Sequence, residues 1–253
     1  MLLFLYAPIL ILILFSFNGS KTLGHWTGFT FDWYARLFST PEITDAIAVT
    51  VSLALLSALI STVLGTAAAI GIHAMKKRPG LIIENISQLP MVNPDLVTGI
   101  SLMLLFLFAG LKDGYARLLI AHVTFNLPYV IFSVLPKLRQ SSNMLYEAAL
   151  DLGCTPIQAL WRVVIPDIMP GIVSGAILAF TLSMDDFVVS FFAGNGVDNL
   201  SMYIYASARR GVNPALSTIL FVPVVTLLLI VNLRSIRDEK AQEIQNHKVQ
   251  DKR

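Results

Sequence analysis

The chain has 253 residues, of which 55% are hydrophobic and 13% charged, and its mean hydropathy is +0.71. Soluble domains carry roughly 25% charged residues, so the composition excludes an ordinary soluble protein and specifies an all-α integral membrane protein. A net charge of +2 without a basic patch gives no footing for nucleic acid, and a single cysteine, Cys154, excludes an intrachain disulfide.

Apolar runs separated by polar segments predict about six spans. Residues 2–17 form the first, with no basic leader or cleavage site to mark a removed signal. Residues 18–45 are polar and aromatic-rich, and Phe29, Phe31, Trp33, Tyr34 and Phe38 predict a short helix at the membrane surface. Residues 46–74 form the second span, where Gly65, Ala67, Ala68, Ala69 and Gly71 allow close helix approach. Lys76-Lys77-Arg78 stops it, and residues 80–91 read as an interfacial connector. Asn93-Pro94-Asp95 reads as N-cap, N1 and N2 of a third span over 94–111. The fourth, over 115–135, contains His122, Asn126, Pro128 and Tyr129. The fifth covers 171–193 and the sixth 215–233, with a solvated tail over 234–253.

Between the fourth and fifth spans lies a polar island over residues 141–170. It reads as two short helices around a turn. Ser142 or Asn143 caps the first, Gly153 ends it in a left-handed conformation, and Thr155-Pro156-Ile157-Gln158 restarts it with a capping box. Such a knob is either a docking element for a soluble partner or an ordinary amphipathic connector. Cys154 within it reads as a small packing residue. With the N-terminus inside, Lys76, Lys77, Arg78, Lys137, Arg139 and Arg162 fall on the cytoplasmic side. Together with Arg234, Arg237 and Lys240 they outnumber Lys21, Arg36, Lys112, Arg117, Arg209 and Arg210 outside. Both termini and the knob are therefore expected in the cytoplasm.

The one costly feature inside a span is Asp185-Asp186, since an aspartate at the bilayer centre costs about 3 kcal/mol on insertion scales. On a continuous helix Asp186 shares a small, polar face with Gly175, Ala179, Ser183 and Ser190, whereas Asp185 lies with Leu178, Thr181, Val188 and Phe192. Asp186 is thus expected to face the bundle interior, and Asp185 a neighbouring subunit or the outer mouth. Asp186, Asp185, Ser183, Tyr129, Asn126 and His122 are the candidate substrate-path residues; the carboxylates would attract a cation and the rings would add aromatic contact. A structural carboxylate paired with another helix is the competing reading, as an interhelical hydrogen bond is for His122.

No HExxH, paired CxxC or G-x-S-x-G set is present, and Gly19-Ser20-Lys21-Thr22 lacks the glycine before lysine that a phosphate loop needs. No catalytic residue, metal site or cofactor is expected, and if the protein performs work, another subunit must bind ATP. A six-span channel would need no knob, and a membrane-embedded enzyme would need a catalytic set.

Glu147-Ala148-Ala149, then Gly153, then Val163-x-Ile165-Pro166 resembles the EAA motif (EAA-x3-G-x9-I-x-L-P) of membrane subunits of binding-protein-dependent ABC importers. Val163 stands for the isoleucine and Ile165 for the leucine. The resemblance implies a type I importer permease fold with cytoplasmic coupling helices that enter a cleft in the ATPase. Glu147, Ala148, Ala149, Gly153, Ile165 and Pro166 would be the coupling residues. Phe29-Thr30-x-x-Trp33-Tyr34, Pro94-Asp95, His122-Val123-Thr124-Phe125, Leu182 to Phe187 and Arg209 to Pro214 resemble the permease subunits of spermidine and putrescine importers. That resemblance implies alternating access driven by two ATPase subunits holding ATP and Mg. It also implies a second permease subunit, an extracytoplasmic polyamine-binding protein and a bacterial cytoplasmic membrane. Another small organic solute stays open, because the Ser-x-Asp-Asp-Phe stretch is shared more widely.

Overall fold

The computed structural model describes residues 2–20, 25–141 and 143–210. The sixth span and the tail fall outside them, as does Ser142. The described residues are helical throughout, apart from loops and one isolated antiparallel bridge between Asn18 and Phe29. They fall into two compact units: residues 45–203, and an N-terminal part through Thr44 grouped with residues from Ile204 onward.

In the N-terminal unit, α1 (Leu2–Phe15) carries no charged residue, and α2 (Asp32–Ser39) is amphipathic. The expected surface helix is shorter than the aromatic run that suggested it. Phe29 and Phe31 precede α2, Phe31 as its N-cap, and Trp33 is buried.

In the larger unit, α3 (Pro41–Ala74) runs the length of the second expected span. Next come α4 (Lys77–Val92) and α5 (Asp95–Phe108), which meet at an angle of 106°. The N-cap of α5 is Pro94 with Asp95 at N1, one position later than the sequence reading, and no side chain caps it. The fourth helix, α6 (Tyr115–Gln140), passes through Pro128 and Pro136 and ends five residues beyond the expected boundary. Lys137 and Arg139 in its last turn suit the negative end of the dipole. Arg139 also pairs with Glu84, a mostly buried carboxylate on α4 that fixes the connector to α6.

The knob comprises α7 (Asn143–Asp151), the single turn α8 (Pro156–Ala159) and a π turn over Leu160–Val164. The chain continues without a stop into α9 (Ile165–Asp185), so the fifth long helix starts well before residue 171. It also stops early. Asp186 and Phe187 break it, and a separate short helix, α10 (Val188–Ala193), follows. The polar segment after residue 194 contains α11 (Leu200–Arg210). Among the described residues, the segments 41–74, 115–140 and 156–185 are long and apolar enough to cross a membrane. The bent pair α4 and α5 counts as a fourth if it is one broken span.

Lipid offers apolar side chains no hydrophobic reason to leave it, so helices associate in membranes through close packing and hydrogen bonds. The sequence supplies small residues where α6, α9 and α3 meet. Gly171, Gly175, Ala179 and Ser183 recur every four residues on α9, and all are buried. A Cβ at Gly171 would lie 2.9 Å from the Ser133 carbonyl oxygen, and one at Gly175 would lie 3.3 Å from the Val130 Cα. On α3, a Cβ at Gly65 would sit 2.7 Å from the Val130 Cβ. Around these approaches lies one core with Ala58, Val130, Val134, Leu138, Ile168 and Ala179. A second, smaller core, with Leu102, Phe106, Ala121, Phe125 and Val189, joins α5, the first half of α6 and α10. The break at Asp185 to Phe187 lies between α9 and α10, where the chain passes from the first core to the second.

Candidate functional site

The knob is a rigid local construction. Gly153 takes φ +88°, and the Cys154 N–H donates to Ala149 O at 3.0 Å while the Gly153 N–H donates to Leu150 O at 2.9 Å. This bond pair closes a helix in a Schellman motif. Two residues on, the Gln158 N–H donates to Thr155 Oγ1 and the Thr155 N–H to Gln158 Oε1, completing the expected capping box with Pro156 at N1. Each short helix thus satisfies end groups locally. Ala149 and Ala159 are buried where α7 and α8 fold on the following turn; a larger side chain would prise them apart. Glu147, Ala148, Gly153 and Pro166 are exposed, and Ile165 is half-buried. Cys154 is half-buried and free.

Sequence reading treated the island as polar, but its outer surface is not. Leu152 is 87% exposed, Ile157 69% and Trp161 67%, beside Met144 and Leu145. Apolar side chains displayed beside an acidic one on a capped, stiff element form a surface suited to a partner. Behind Glu147 a cleft of about 430 Å³ separates the knob from the ends of α3 and α6, and His73, Leu138, Tyr146 and Val164 help to line it.

The second site is a buried polar chain at the helix break. His122, Asn126, Ser57, Ser183, Ser190 and Asn199 are all 0% exposed. Asp186 accepts the Val189 N–H at 3.1 Å, the Ser190 N–H at 2.8 Å and the Ser190 hydroxyl at 2.8 Å. It therefore caps the start of α10 from the position before the N-cap residue, Phe187. Since the Ser190 proton goes to the carboxylate, Ser190 Oγ accepts from its other two neighbours: Asn199 Nδ2 at 2.7 Å and His122 Nε2 at 2.9 Å. His122 Nδ1 is then the acceptor for the Ser183 hydroxyl at 2.7 Å. Ser57 donates to Ser183 at 2.9 Å, and Asn126 Nδ2 donates to Ser57 at 3.4 Å. Every proton in this chain points towards Asp186, and its members come from α3, α6, α9, α10 and the loop before α11.

The helical-wheel expectation is corrected by this geometry. Asp186 does face the interior, with its side chain 6% exposed. It does so as the cap of a new helix, and its oxygens are taken up by protein donors. Four expected path residues, Asp186, Ser183, His122 and Asn126, are brought together in this closed structure. Tyr129 is half-buried and packs on Phe125 at 5.5 Å in the second core, one turn from Asn126. Asp185 is set apart. It is exposed, with no hydrogen bond or ion pair among the described residues. It ends an exposed line along α9 through Ser174, Ile177 and Thr181. Ser57 and Asn199 were missed by sequence reading. Ser57 left a trace, one of three serines (Ser52, Ser57, Ser61) in an apolar span; Asn199 left none.

Residues 61–236 match the family described as binding-protein-dependent transport system inner membrane component. The spermidine/putrescine transport system permease protein PotC of Escherichia coli (strain K12) is 35% identical over 94% of this chain and 91% of its own. PotC of Haemophilus influenzae is 34% identical over 94% and 93% of the two chains. The putrescine transport system permease protein PotI of Escherichia coli (strain K12) is 37% identical over 85% and 80%. Among solved structures, a bacterial ABC transporter involved in import of the acidic polysaccharide alginate aligns with TM-score 0.70 at 21% identity, covering 93% of this chain and 91% of that one. The inward-facing MetNI methionine ABC transporter aligns with TM-score 0.61 at 18% identity, over 80% and 98%. The fold is that of ABC importer permeases, and the chain belongs to the family of binding-protein-dependent transport system inner membrane components, as a multi-pass permease subunit.

Proposed function

We propose that this permease carries a polyamine of the spermidine and putrescine class across a bacterial cytoplasmic membrane by alternating access. The observation that carries the reading is about 35% identity to spermidine/putrescine permeases along nine-tenths of the chain. Asp185, which has no partner among the described residues, supports it independently. A carboxylate at the C-terminal end of an apolar helix opposes the helix dipole as well as the membrane. Such a residue has a physical reason to exist if a cationic cargo meets it. An anionic cargo would meet the wrong sign there.

In this reading the cation contact belongs to the exposed Asp185. Asp186, Ser183, His122 and Asn126 hold the wall from which Asp185 projects, with Tyr129 packed behind. Glu147, Ala148, Ala149, Gly153, Ile165 and Pro166 form the coupling element. The knob and both termini face the cytoplasm, where two ATPase subunits hold ATP and Mg; the permease itself performs no chemistry and holds no metal. A second, homologous permease completes the path, and an extracytoplasmic binding protein delivers the polyamine. ATP-driven closure of the ATPases moves the knobs and turns the path outward; hydrolysis resets it.

The test is ATP-driven uptake of labelled spermidine and putrescine into vesicles containing the whole transporter. Glu147→Ala should abolish uptake while leaving the permease in the membrane. Asp185→Asn should raise the KM for the cations. Full uptake by Glu147→Ala removes the coupling assignment, and polyamine-independent ATP turnover with no uptake by the parent removes the cargo assignment.

A further inference from the structure

The N-terminal unit carries a surface that transport as proposed does not use. Beside the end of α1, Phe17 stacks on Phe29 at 5.2 Å, and Phe31 stands edge-on to Phe17 and Phe29 at 5.7 and 5.0 Å. Trp26 meets Phe15 edge-on at 6.2 Å. Phe29 is 65% exposed, Phe31 61% and Trp26 55%. These rings are not loose. Asn18 is fully buried and holds the loop from within. Its Nδ2 donates to His25 O, its Oδ1 accepts the Thr27 N–H, and its carbonyl accepts the Trp33 indole N–H at 2.7 Å. The Thr30 N–H to Phe17 O and the Gly19 N–H to Gly28 O bonds close the loop across the bridge. The chain has invested polar bonds in fixing rings that it leaves uncovered.

Two occupants compete with lipid for such a cluster. An organic cation would need an open cage of rings. Centroid separations of 5.0 to 5.7 Å leave no gap between Phe17, Phe29 and Phe31, so the cluster is a filled wedge. A soluble protein would meet a patch with polar surroundings on all sides. This patch instead continues an apolar surface: α1 exposes Phe4, Leu10, Ile11 and Leu14, has no charged residue, and runs into Phe15 and Phe17. On the other side in sequence α2 exposes the charged Asp32 and Arg36, and the exposed His25 and Thr27 flank Trp26. A rigid aromatic group between apolar helix and charged helix matches the level of lipid headgroups, where amphipathic surfaces are most stable. One acid and one base on α2 give no preference for anionic lipid.

We propose that Trp26, Phe29 and Phe31 are a lipid-binding wedge, seated in the headgroup region of the bilayer at the end of α1, that fixes the depth of the N-terminal unit. The test uses the whole transporter in phosphatidylcholine vesicles. Cys154→Ser removes the single native thiol, and Phe29→Cys then carries a nitroxide. Its collision rates with oxygen, which partitions into lipid, and with an aqueous nickel chelate are compared with those of a label at Asp198→Cys, an exposed loop position. The wedge predicts an oxygen-to-nickel ratio several-fold above the loop reference. A ratio equal to the loop reference overturns it, as does a site that neither reagent reaches, since that marks a protein partner. Should the label disturb assembly, native tryptophan quenching by brominated lipid decides. Trp26→Phe should remove a lipid-quenched component, and an unchanged quenched fraction overturns the proposal.

Discussion

The two adjacent aspartates should separate cleanly under mutation. Asp186→Ala removes the acceptor of two backbone N–H groups and one hydroxyl. The Val189 and Ser190 amides would be stranded at the start of α10, in a site nearly closed to water. Loss of an N-cap costs about 0.5–2 kcal/mol, and orphaning buried donors of a charged acceptor adds about 1–3 kcal/mol. We expect a loss of about 3 kcal/mol, seen as a lower midpoint in thermal denaturation of the solubilised transporter. Asp186→Asn keeps one good acceptor oxygen in a residue type that caps well, so it should lose about 1 kcal/mol. Asp185→Asn breaks no bond and removes a negative charge from a helix C-terminus. Its midpoint should hold or rise by a few tenths of a kcal/mol, while polyamine uptake weakens through KM. If Asp186→Ala denatures with the parent while Asp185→Asn is destabilised, the division of roles is wrong. If Asp186→Asn loses transport at unchanged stability and Asp185→Asn transports normally, the cargo contact returns to Asp186.

Gly171→Ala should lower stability by about 1–3 kcal/mol, the cost of overpacking, because its Cβ would fall 2.8 Å from Lys137 Cγ and 2.9 Å from the Ser133 carbonyl. Gly71→Ala on α3 is its control: a Cβ there meets nothing within 4 Å, so denaturation should show no loss and up to about 1 kcal/mol of gain from helix propensity. Thr155→Ala breaks the capping box for about 1 kcal/mol, which hydrogen exchange should register as faster exchange confined to α8, with Thr155→Ser restoring protection. Gly153→Ala forces a side chain onto a φ of +88° at about 1–2 kcal/mol. It should reduce ATP-driven uptake while the main denaturation midpoint stays in place.

What could be read from the sequence follows the range of the interaction. Gly153, Thr155 and Gln158 act within a few residues of themselves, so capping chemistry located both ends of the turn between α7 and α8. The buried stripe Gly175, Ala179 and Ser183 was legible because its period is that of the helix it lies on. The same assumption of an unbroken period failed at Asp186. Two acids in an apolar run looked like residues on a wheel, although an aspartate three residues before Val189 is also an N-cap signal. The signal was present and outweighed by hydropathy. Glu84 with Arg139, and Asp113 with Asn195, depend on contacts between segments that local pattern does not encode. Ser57 on α3 and Asn199 in the loop before α11 join the His122 chain across such distances, so the sequence marked Ser57 only as one polar residue in an apolar span and did not mark Asn199 at all.

The motif that first marked this chain is explained only in part by docking. Its last residue, Pro166, has no N–H to give the Arg162 carbonyl, and its ring would press on that carbonyl in a regular α-helix. The chain answers with a π turn over Leu160–Val164, in which the Ile165 N–H reaches back to Leu160 O. Pro170 omits a second bond one turn later. The long segment from Pro156 to Asp185 is therefore weakest where it leaves the knob and best packed from Gly171 onward, where the small residues of α9 let it lie close against α6. A stiff, doubly capped knob is joined to a seated helix through a joint lacking two regular hydrogen bonds. Under the proposed function this arrangement lets the ATPase turn the knob without first unseating α9. Motion then reaches the outer end along α9, where Asp185 ends the helix and the Asp186 cap starts the next. In that reading the glutamate and glycine of the motif would shape the surface that is pushed, and the proline would set how that surface moves relative to the span.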